Sequence, residues 1–391
     1  MVLLHDGGGD RSLTVRALPQ LIATLQRRGY RLVPVSALMG LRPDQVMPRV
    51  REPNTLYARL DALAFALLGF GHGALRLLFL GGLALGIGRV GVLGALAAVH
   101  RRRARRAGAP AAWPEVAVVV PAHNEARVIG RTLRCLLASD YPAFAVIVVD
   151  DGSTDGTADV VRRAFAGEPR IRLLQQPNRG KATASEHGWR ATAAPIVVTL
   201  DADTLFEPGT LRALVRPFAD PRVGAVAGNA KVGNRTRVLA RWQAIEYVTA
   251  QNLERRALAQ LGCVTVVPGA VGAWRRVWLE ATGGFTDDTV AEDQDLTLRV
   301  ARAGARVVYS ADAVAWTEAP ETFAGLLRQR LRWAFGTLQC AWKHRGAMFR
   351  RGSGALGWVG LPHVWLFQIV FPLLSPIVDL YFAAVLGAAA W

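Results

Sequence analysis

The chain has 391 residues, more than one average domain needs and enough to bury a sizeable core. Lys and Arg number 47 against 30 Asp and Glu, a formal charge of +17. The basic residues cluster beside apolar segments, as in RRRARR at 101–106, which points to the cytoplasmic flank of a membrane helix rather than to nucleic acid. Cys135, Cys263 and Cys340 are scattered, with neither metal-ligand spacing nor a disulfide framework. No signal peptide, repeat or low-complexity linker stands out.

Residues 1–55 read as the tail of something larger. VLLHDGGG is a short strand entering a turn, residues 12–29 form a helix ending at Gly29, and RLVPVSAL is a final strand. A hairpin of this size cannot bury its own faces. The LLHDGGG turn and the following GYRLVPVSAL resemble the C-terminal end of a polysaccharide deacetylase domain. The resemblance implies that His5 is the histidine that assists catalysis in that family. The family's metal-binding aspartate and paired histidines lie upstream of these segments, so deacetylase activity is not expected of this chain.

Residues 56–106 form a membrane segment with its basic flank. Residues 77–99 are long enough for one crossing, but Arg89 interrupts them and must snorkel, pair inside a bundle, or mark a break between helices. A single crossing would leave residues 1–55 extracytoplasmic and the rest cytoplasmic. Residues 110–114 are a linker.

From Glu115 strands and helices alternate at βα spacing. VAVVVPAHNE is a buried strand ending at Pro121 and is followed by a helix over 126–138; AVIVVDDGSTDGTADVV is a second strand–turn–helix unit. IRLLQQP is a third strand, NRGKATASEHGWRAT a helix, and PIVVTLDAD a fourth strand. The pattern predicts an α/β domain over 115–320 with a largely parallel sheet and helices on both faces. Three strands end in acid or amide groups: Asn124 and Glu125, Asp150 and Asp151, Asp201 and Asp203. Ligands of such sheets sit at the carboxyl ends of the strands. Asp201 and Asp203 are hard oxygen donors that suit Mg²⁺ or Mn²⁺, although such a turn can also be acidic only to stay solvated. No G-x-G-x-x-G follows the first strand and no G-x-x-x-x-G-K-[ST] loop is present, which disfavours a dinucleotide enzyme or an ATPase.

VPAHNE, VDDGSTD, RGKA and LDAD, in this order and spacing, resemble the nucleotide-sugar half of the family 2 glycosyltransferases, which have a GT-A fold. The resemblance implies that Pro121, Ala122, Asn124 and Glu125 border the nucleotide, with Asp150 beside them and Asp151 on uracil or ribose. It places Lys181 near the nucleotide or diphosphate and Asp201 and Asp203 on the metal diphosphate. His123 stands where the family often has Tyr.

In the second half, residues 226–235 read as a strand and 242–261 as an amphipathic helix. VTVVPGAVGAWRR (264–276) resembles the family's strand–Gly turn–Arg segment lining the acceptor channel. Gly269 and Gly272 would admit a sugar closely, and Trp274 is either a stacking face or a core aromatic. Glu292, Asp293 and Asp295 open a helix over 293–303, where carboxylates also favour the dipole; Asp295 reads as helix charge alone. The match to the family's Glu-Asp motif makes Asp293 the catalytic base and puts Glu292 beside the acceptor. Residues 323–344 carry QRLRW, and an interface helix at 321–350 would lie in the membrane plane. Gln-x-x-Arg-Trp resembles the signature of the family's processive members, which implies acceptor roles for Gln329, Arg330, Arg332 and Trp333. Residues 357–391 are apolar again, with at least one further span.

These readings imply a multi-pass plasma-membrane, inverting, processive β-glycan synthase. It would use a UDP-sugar and Mg²⁺ or Mn²⁺, and its partners would be the growing polysaccharide and the lipid membrane, with no nucleic acid. The deacetylase resemblance favours N-acetylglucosamine as the sugar. A glucan or hyaluronan synthase, a non-processive lipid-carrier transferase and a silent membrane scaffold are the alternatives.

Overall fold

The computed structural model describes residues 12–46, 55–104 and 112–389. The chain divides into two compact units, Met1–Ala74 and Leu75–Trp391. In the first, the helix Ser12–Arg27 ends before Gly29, which takes φ +80° as the predicted terminator. The expected strand over RLVPVSAL does not form; Val35–Leu38 is one helical turn closed by Met39 N donating to Val35 O at 3.0 Å. Among the described residues no strand stands in this unit to pair with it, and a helical turn satisfies its own backbone groups. The expected strand at 2–9 and His5 lie outside the described residues.

The helix Thr55–Ala104 is unbroken for 50 residues. By length and composition two helices could cross a membrane, Leu56–Arg103 and Leu356–Gly387. Within the second unit, Arg89 pairs rather than snorkels or breaks the helix. Its guanidinium donates to Glu254 Oε2 at 2.6 Å and to His363 Nε2 at 3.0 Å, and lies 4.8 Å from the centre of the Phe367 ring.

The core of the second unit is one eight-stranded sheet in the order β3-β2-β1-β4-β7-β6-β8-β5. The strands are β1 Val116–Ala122, β2 Phe144–Asp151, β3 Ile171–Gln176, β4 Ile196–Thr199, β5 Leu205–Phe206, β6 Val223–Val232, β7 Gly272–Arg275 and β8 Arg306–Thr317. The donor half, β3-β2-β1-β4, is wholly parallel, as its βα alternation predicts. β7 runs antiparallel between β4 and β6, so the sheet is mixed beyond β4. Near-continuous Val and Ile in β1, β2 and β4 fit strands covered on both faces, and Val118, Val120, Val146, Val148, Ile196 and Val198 are all in the main core.

Several boundaries differ from expectation, among them the strand expected at 226–235, which is Val223–Val232, and the helix expected at 126–138, which is Ile129–Leu137. β4 stops at Thr199, so Asp201 and Asp203 stand on the following turn. The predicted helix over 242–261 is Val238–Tyr247, then a π-helical stretch Val248–Glu254, then Arg255–Leu261. Of 264–276 only Gly272–Arg275 is strand, and Arg276–Thr282 is a helix.

Candidate functional site

The carboxyl ends of β1, β2 and β4 meet as predicted, and hydrogen bonds fix them to one another. Asn124 takes φ +58°, a conformation Asn tolerates. Its side-chain carbonyl accepts from Thr154 N at 2.9 Å, and its backbone N donates to Ser153 Oγ at 2.9 Å. The loop after β1 is thereby stitched to the loop after β2. His123 Nδ1 donates to Asp151 O at 2.8 Å, leaving Nε2 to accept from Asn124 at 3.1 Å and Asn178 at 3.2 Å. Ala122 is a core side chain, so only its backbone can face a ligand; Pro121 beside it is half-buried.

Asp150 accepts from Ser153 N at 3.2 Å and Gln175 Nε2 at 3.1 Å. Asp151 is 3% exposed and accepts three bonds: Gln176 Nε2 at 2.8 Å, Arg179 N at 2.9 Å and Gly180 N at 2.8 Å. A carboxylate offers about four acceptor positions, so one remains. The first effect of Asp151 is local. It holds the turn at Gly180, φ +88°, from which Lys181 opens the helix Lys181–Arg190.

Lys181 is the meeting point of the site. Its ammonium pairs with Asp201 and lies 3.7 Å from Glu292 Oε1. Desolvation works against the charge, but the carboxylates of Asp201, Glu292 and Asp293 outweigh it and raise Lys181 above its ordinary range. The Asp201–Asp203 turn is hung from the sheet by Leu200 N on Val119 O at 3.2 Å and by Thr132 Oγ1 on Ala202 O at 2.7 Å. Burial, then the neighbouring Asp201 charge, push Asp203 up to about 6. Burial, then Asp203 and Asp155, push Glu125 up to about 7. Among the described residues no group of three or more His, Cys, Asp or Glu stands in metal-holding geometry.

Asp293 lies in the first turn of the helix Glu292–Arg302. Its Oδ2 accepts from Gly269 N at 3.0 Å and its Oδ1 from Gln294 N at 2.8 Å. Burial raises Glu292 above its ordinary range, with Lys181 opposing. Gly269 also admits Lys181 closely: a Cβ there would stand 2.6 Å from Lys181 Nζ. Gly272 is likewise a packing glycine, its absent Cβ facing Val267 and Thr199.

Trp274 is a core aromatic, correcting the stacking alternative. It is 1% exposed, its Nε1 donates to Thr199 Oγ1 at 3.4 Å, and its ring meets Phe285 edge-on at 6.0 Å. β7 is a central strand with helices over it, so an inward Trp has no free face.

Of the interface helix expected at 321–350, Phe323–His344 is helical. Arg330 forms a bidentate pair with Glu246 at 2.5 and 2.6 Å and lies 4.7 Å above the Trp333 ring. Trp333 is half-buried against the main core and Arg332 is exposed. Gln329 Oε1 is buried with no hydrogen-bond partner.

Asp295 is more than helix charge. It is 0% exposed and pairs with Arg299 at 2.7 Å, Lys343 at 2.8 Å and His344 at 2.8 Å. Arg302 donates to His344 Nδ1 at 2.9 Å, leaving Nε2–H for Asp295. Hydrogen bonds and countercharges outweigh burial, the largest single effect, and hold the carboxyl far below the usual range. Gly336 lies in the same seam, where a Cβ would stand 2.7 Å from Ala291 Cβ. The helix bearing QRLRW is thus fastened to the helix bearing Asp293.

A family model described as glycosyltransferase like family 2 matches residues 114–336, more than half the chain. The chain belongs to this family. Its catalytic domain is a family 2 glycosyltransferase domain with a GT-A-like fold. The poly-β-1,6-N-acetyl-D-glucosamine synthase of Staphylococcus aureus (strain COL) is 31% identical over 222 residues, 56% of this chain and 54% of that protein. The synthase of the same name from Staphylococcus epidermidis is 28% identical over the same shares. The chain spans about half the length of these curated relatives. Among solved structures, the mannosyltransferase PcManGT from Pyrobaculum calidifontis, in complex with GDP-Man and Mn²⁺, matches with a TM-score of 0.63 and 28% identity over 78% of this chain and 86% of that one.

Proposed function

We propose that this protein is a membrane-embedded, inverting, processive β-glycosyltransferase. It transfers N-acetylglucosamine from UDP-N-acetylglucosamine to a growing polysaccharide at the cytoplasmic face. The observation that carries the reading is the convergence of Asp201, Glu292 and Lys181 with Asp293, one bond away on Gly269. The donor end and the base then share one site. A sugar hydroxyl is a poor nucleophile, and Asp293 takes its proton as it attacks the anomeric carbon. Attack from the face opposite the leaving diphosphate inverts that centre.

The donor edge fits a divalent cation. Asp203 and Glu125 are held above their ordinary range by burial and then by neighbouring carboxylates, Asp201 on Asp203 and Asp203 on Glu125, which a hard dication relieves. Asp201 and Asp203 would hold it, and it would supply stabilisation of charge on the leaving diphosphate. PcManGT was solved with Mn²⁺, which supports this assignment. Asn124, Glu125 and the remaining acceptor position of Asp151 are read as the nucleotide's surroundings.

The sugar assignment rests on the relatives named poly-β-1,6-N-acetyl-D-glucosamine synthase and on the deacetylase-like N-terminal segment, since a deacetylase acts on acetylated polymer. Processivity rests on QRLRW, where the orphaned Gln329 Oε1 needs a donor that a glycan hydroxyl supplies. The two apolar helices are read as spans with the basic 101–106 run inside.

The test is UDP release by membranes containing the protein, given UDP-N-acetylglucosamine, UDP-glucose or UDP-glucuronate with Mg²⁺ or Mn²⁺. Release with the first donor and an N-acetylglucosaminidase-sensitive polymer is expected. Release with UDP-glucose alone overturns the sugar and leaves the transferase.

A further inference from the structure

Between the helix Arg255–Leu261 and β7 the chain runs from Cys263 to Val271 without helix or strand. Such a stretch has no ladder for its backbone N–H groups, and where it is buried they need other acceptors. Val267 is 0% exposed, Pro268 is buried with no N–H to give, and Gly269 follows. The two amides that flank the proline both go to one helix. Val267 N donates to Thr297 Oγ1 at 2.8 Å and Gly269 N to Asp293 Oδ2 at 3.0 Å.

Thr297 stands one turn after Asp293 in the helix Glu292–Arg302 and is 0% exposed. Its hydroxyl donates to Asp293 O at 2.6 Å, so its only hydrogen is spent there and its oxygen receives Val267 N. A threonine that only turned back on its own helix would be ordinary. Here the same oxygen also satisfies a buried amide 30 residues away in sequence. Asp293 is thereby held twice from the 267–269 segment, at its carbonyl through Thr297 and at its carboxylate by Gly269 N. Its other carboxylate bond, Oδ1 from Gln294 N at 2.8 Å, stays within the helix.

We propose that Thr297 is a positioning residue for the transfer, its hydroxyl fixing how the Asp293 carboxylate faces the acceptor's attacking hydroxyl. The proposal rests on the transferase reading above. Fully buried, Thr297 touches neither sugar nor nucleotide and acts through Asp293 alone. A carboxylate offers about four acceptor positions, of which Gly269 N and Gln294 N take two. Which open position meets the acceptor depends on where Gly269 N holds Oδ2, and Gly269 is two residues from the Val267 amide that Thr297 holds. Without the Thr297 hydroxyl that amide is orphaned and must move to find another acceptor, carrying Gly269 N with it. Proton transfer needs the base within hydrogen-bond reach, so a small displacement is felt in the chemical step.

The full chain in detergent is compared with Thr297→Val, which keeps the shape, and Thr297→Ser, which keeps the hydroxyl. Asp293→Asn and the double variant Asp293→Asn with Thr297→Val complete the cycle. UDP release from UDP-N-acetylglucosamine with Mn²⁺ gives kcat and KM, and thermal unfolding with and without UDP and Mn²⁺ reports donor binding. Thr297→Val should lower kcat about tenfold, with KM for the donor and the UDP shift unchanged. Thr297→Ser should stay within about twofold of wild type. In the Asp293→Asn background Thr297→Val should change the residual rate by less than about twofold, because no base is left to position. The same tenfold loss in that background makes the residue structural and overturns the proposal. So does wild-type kcat in Thr297→Val, a loss carried by KM for the donor, or a folded Thr297→Ser as slow as Thr297→Val. If Thr297→Val does not fold, Thr297→Cys takes its place, similar in size to Thr297→Ser but with a weakly bonding sulfur; equal kcat in the Cys and Ser variants then overturns the proposal. Failure of the transferase reading shows separately, as no UDP shift in the wild type or full turnover in Asp293→Asn alone, and takes the proposal with it.

Discussion

Lys181 and Asp201 form an ion pair at the carboxyl ends of the parallel strands, and Glu292 stands 3.7 Å from the same ammonium. One cation thus ties the Asp201–Asp203 turn to the start of the Glu292–Arg302 helix. It owes its position to Asp151, which holds the turn at Arg179 and Gly180 from below.

Gly269→Ala tests that arrangement with the smallest possible change, because the added methyl would stand 2.6 Å from Lys181 Nζ. Turnover should fall about tenfold or more through misplacement of reacting groups, with the unfolding temperature changed little. Lys181→Met should move turnover the same way. Unchanged initial rates in both would remove Lys181 from the account.

Glu125 at about 7 and Asp203 at about 6 sit above their unfolded values, near 4. Between about pH 4 and 7 the folded chain therefore binds more protons than the unfolded one, so stability without metal falls as pH rises through that window. A divalent cation binds the ionised forms. Its stabilising shift should be larger at pH 8 than at pH 5.5, which unfolding scans with and without Mn²⁺ at the two pH values check.

Asp295→Asn keeps the shape of the buried carboxylate but strips the countercharge from Arg299 and Lys343 and weakens the acceptor that His344 Nε2–H donates to. Breaking a buried ion network this way costs about 3–5 kcal/mol. Chemical denaturation should show that loss, and polymer length should shorten more than UDP affinity falls, because the QRLRW helix is no longer fastened beside Asp293.

Trp274 and Trp333 should separate cleanly. Trp274→Ala empties a core site at a cost of about 3–5 kcal/mol, whereas Trp274→Phe should leave KM for acceptor unchanged. Trp333→Ala should raise that KM with little effect on UDP binding. Acceptor kinetics of the Phe and Ala variants decide between them.

The donor half was legible because its signals are local. Runs such as Val116–Val120 and Ile147–Val149 are too apolar for anything but covered strands, and each ends in a polar turn. The helix bearing QRLRW was legible within the expected 321–350, although it ends at His344. What sequence could not show was pairing across distance. Asp295 looks like ordinary N-terminal helix charge until His344, 49 residues on, is seen against it. Arg330 looks free until Glu246 appears beside it. Trp274 failed for the same reason: whether a Trp in a short strand faces a channel or the core depends on what covers the sheet. The RLVPVSAL strand did not form: Val35–Leu38 is a helical turn, and alternation alone does not supply the ladder partner a strand needs.

The central claim is that Asp293 is the base of a glycosyl transfer, and the most direct measurement compares UDP binding with UDP release in Asp293→Asn. The amide can still accept from Gly269 N but cannot take the acceptor's proton. UDP affinity should stay within about twofold of wild type, while transfer falls by about 10²–10⁴. Turnover retained in that variant would contradict the account.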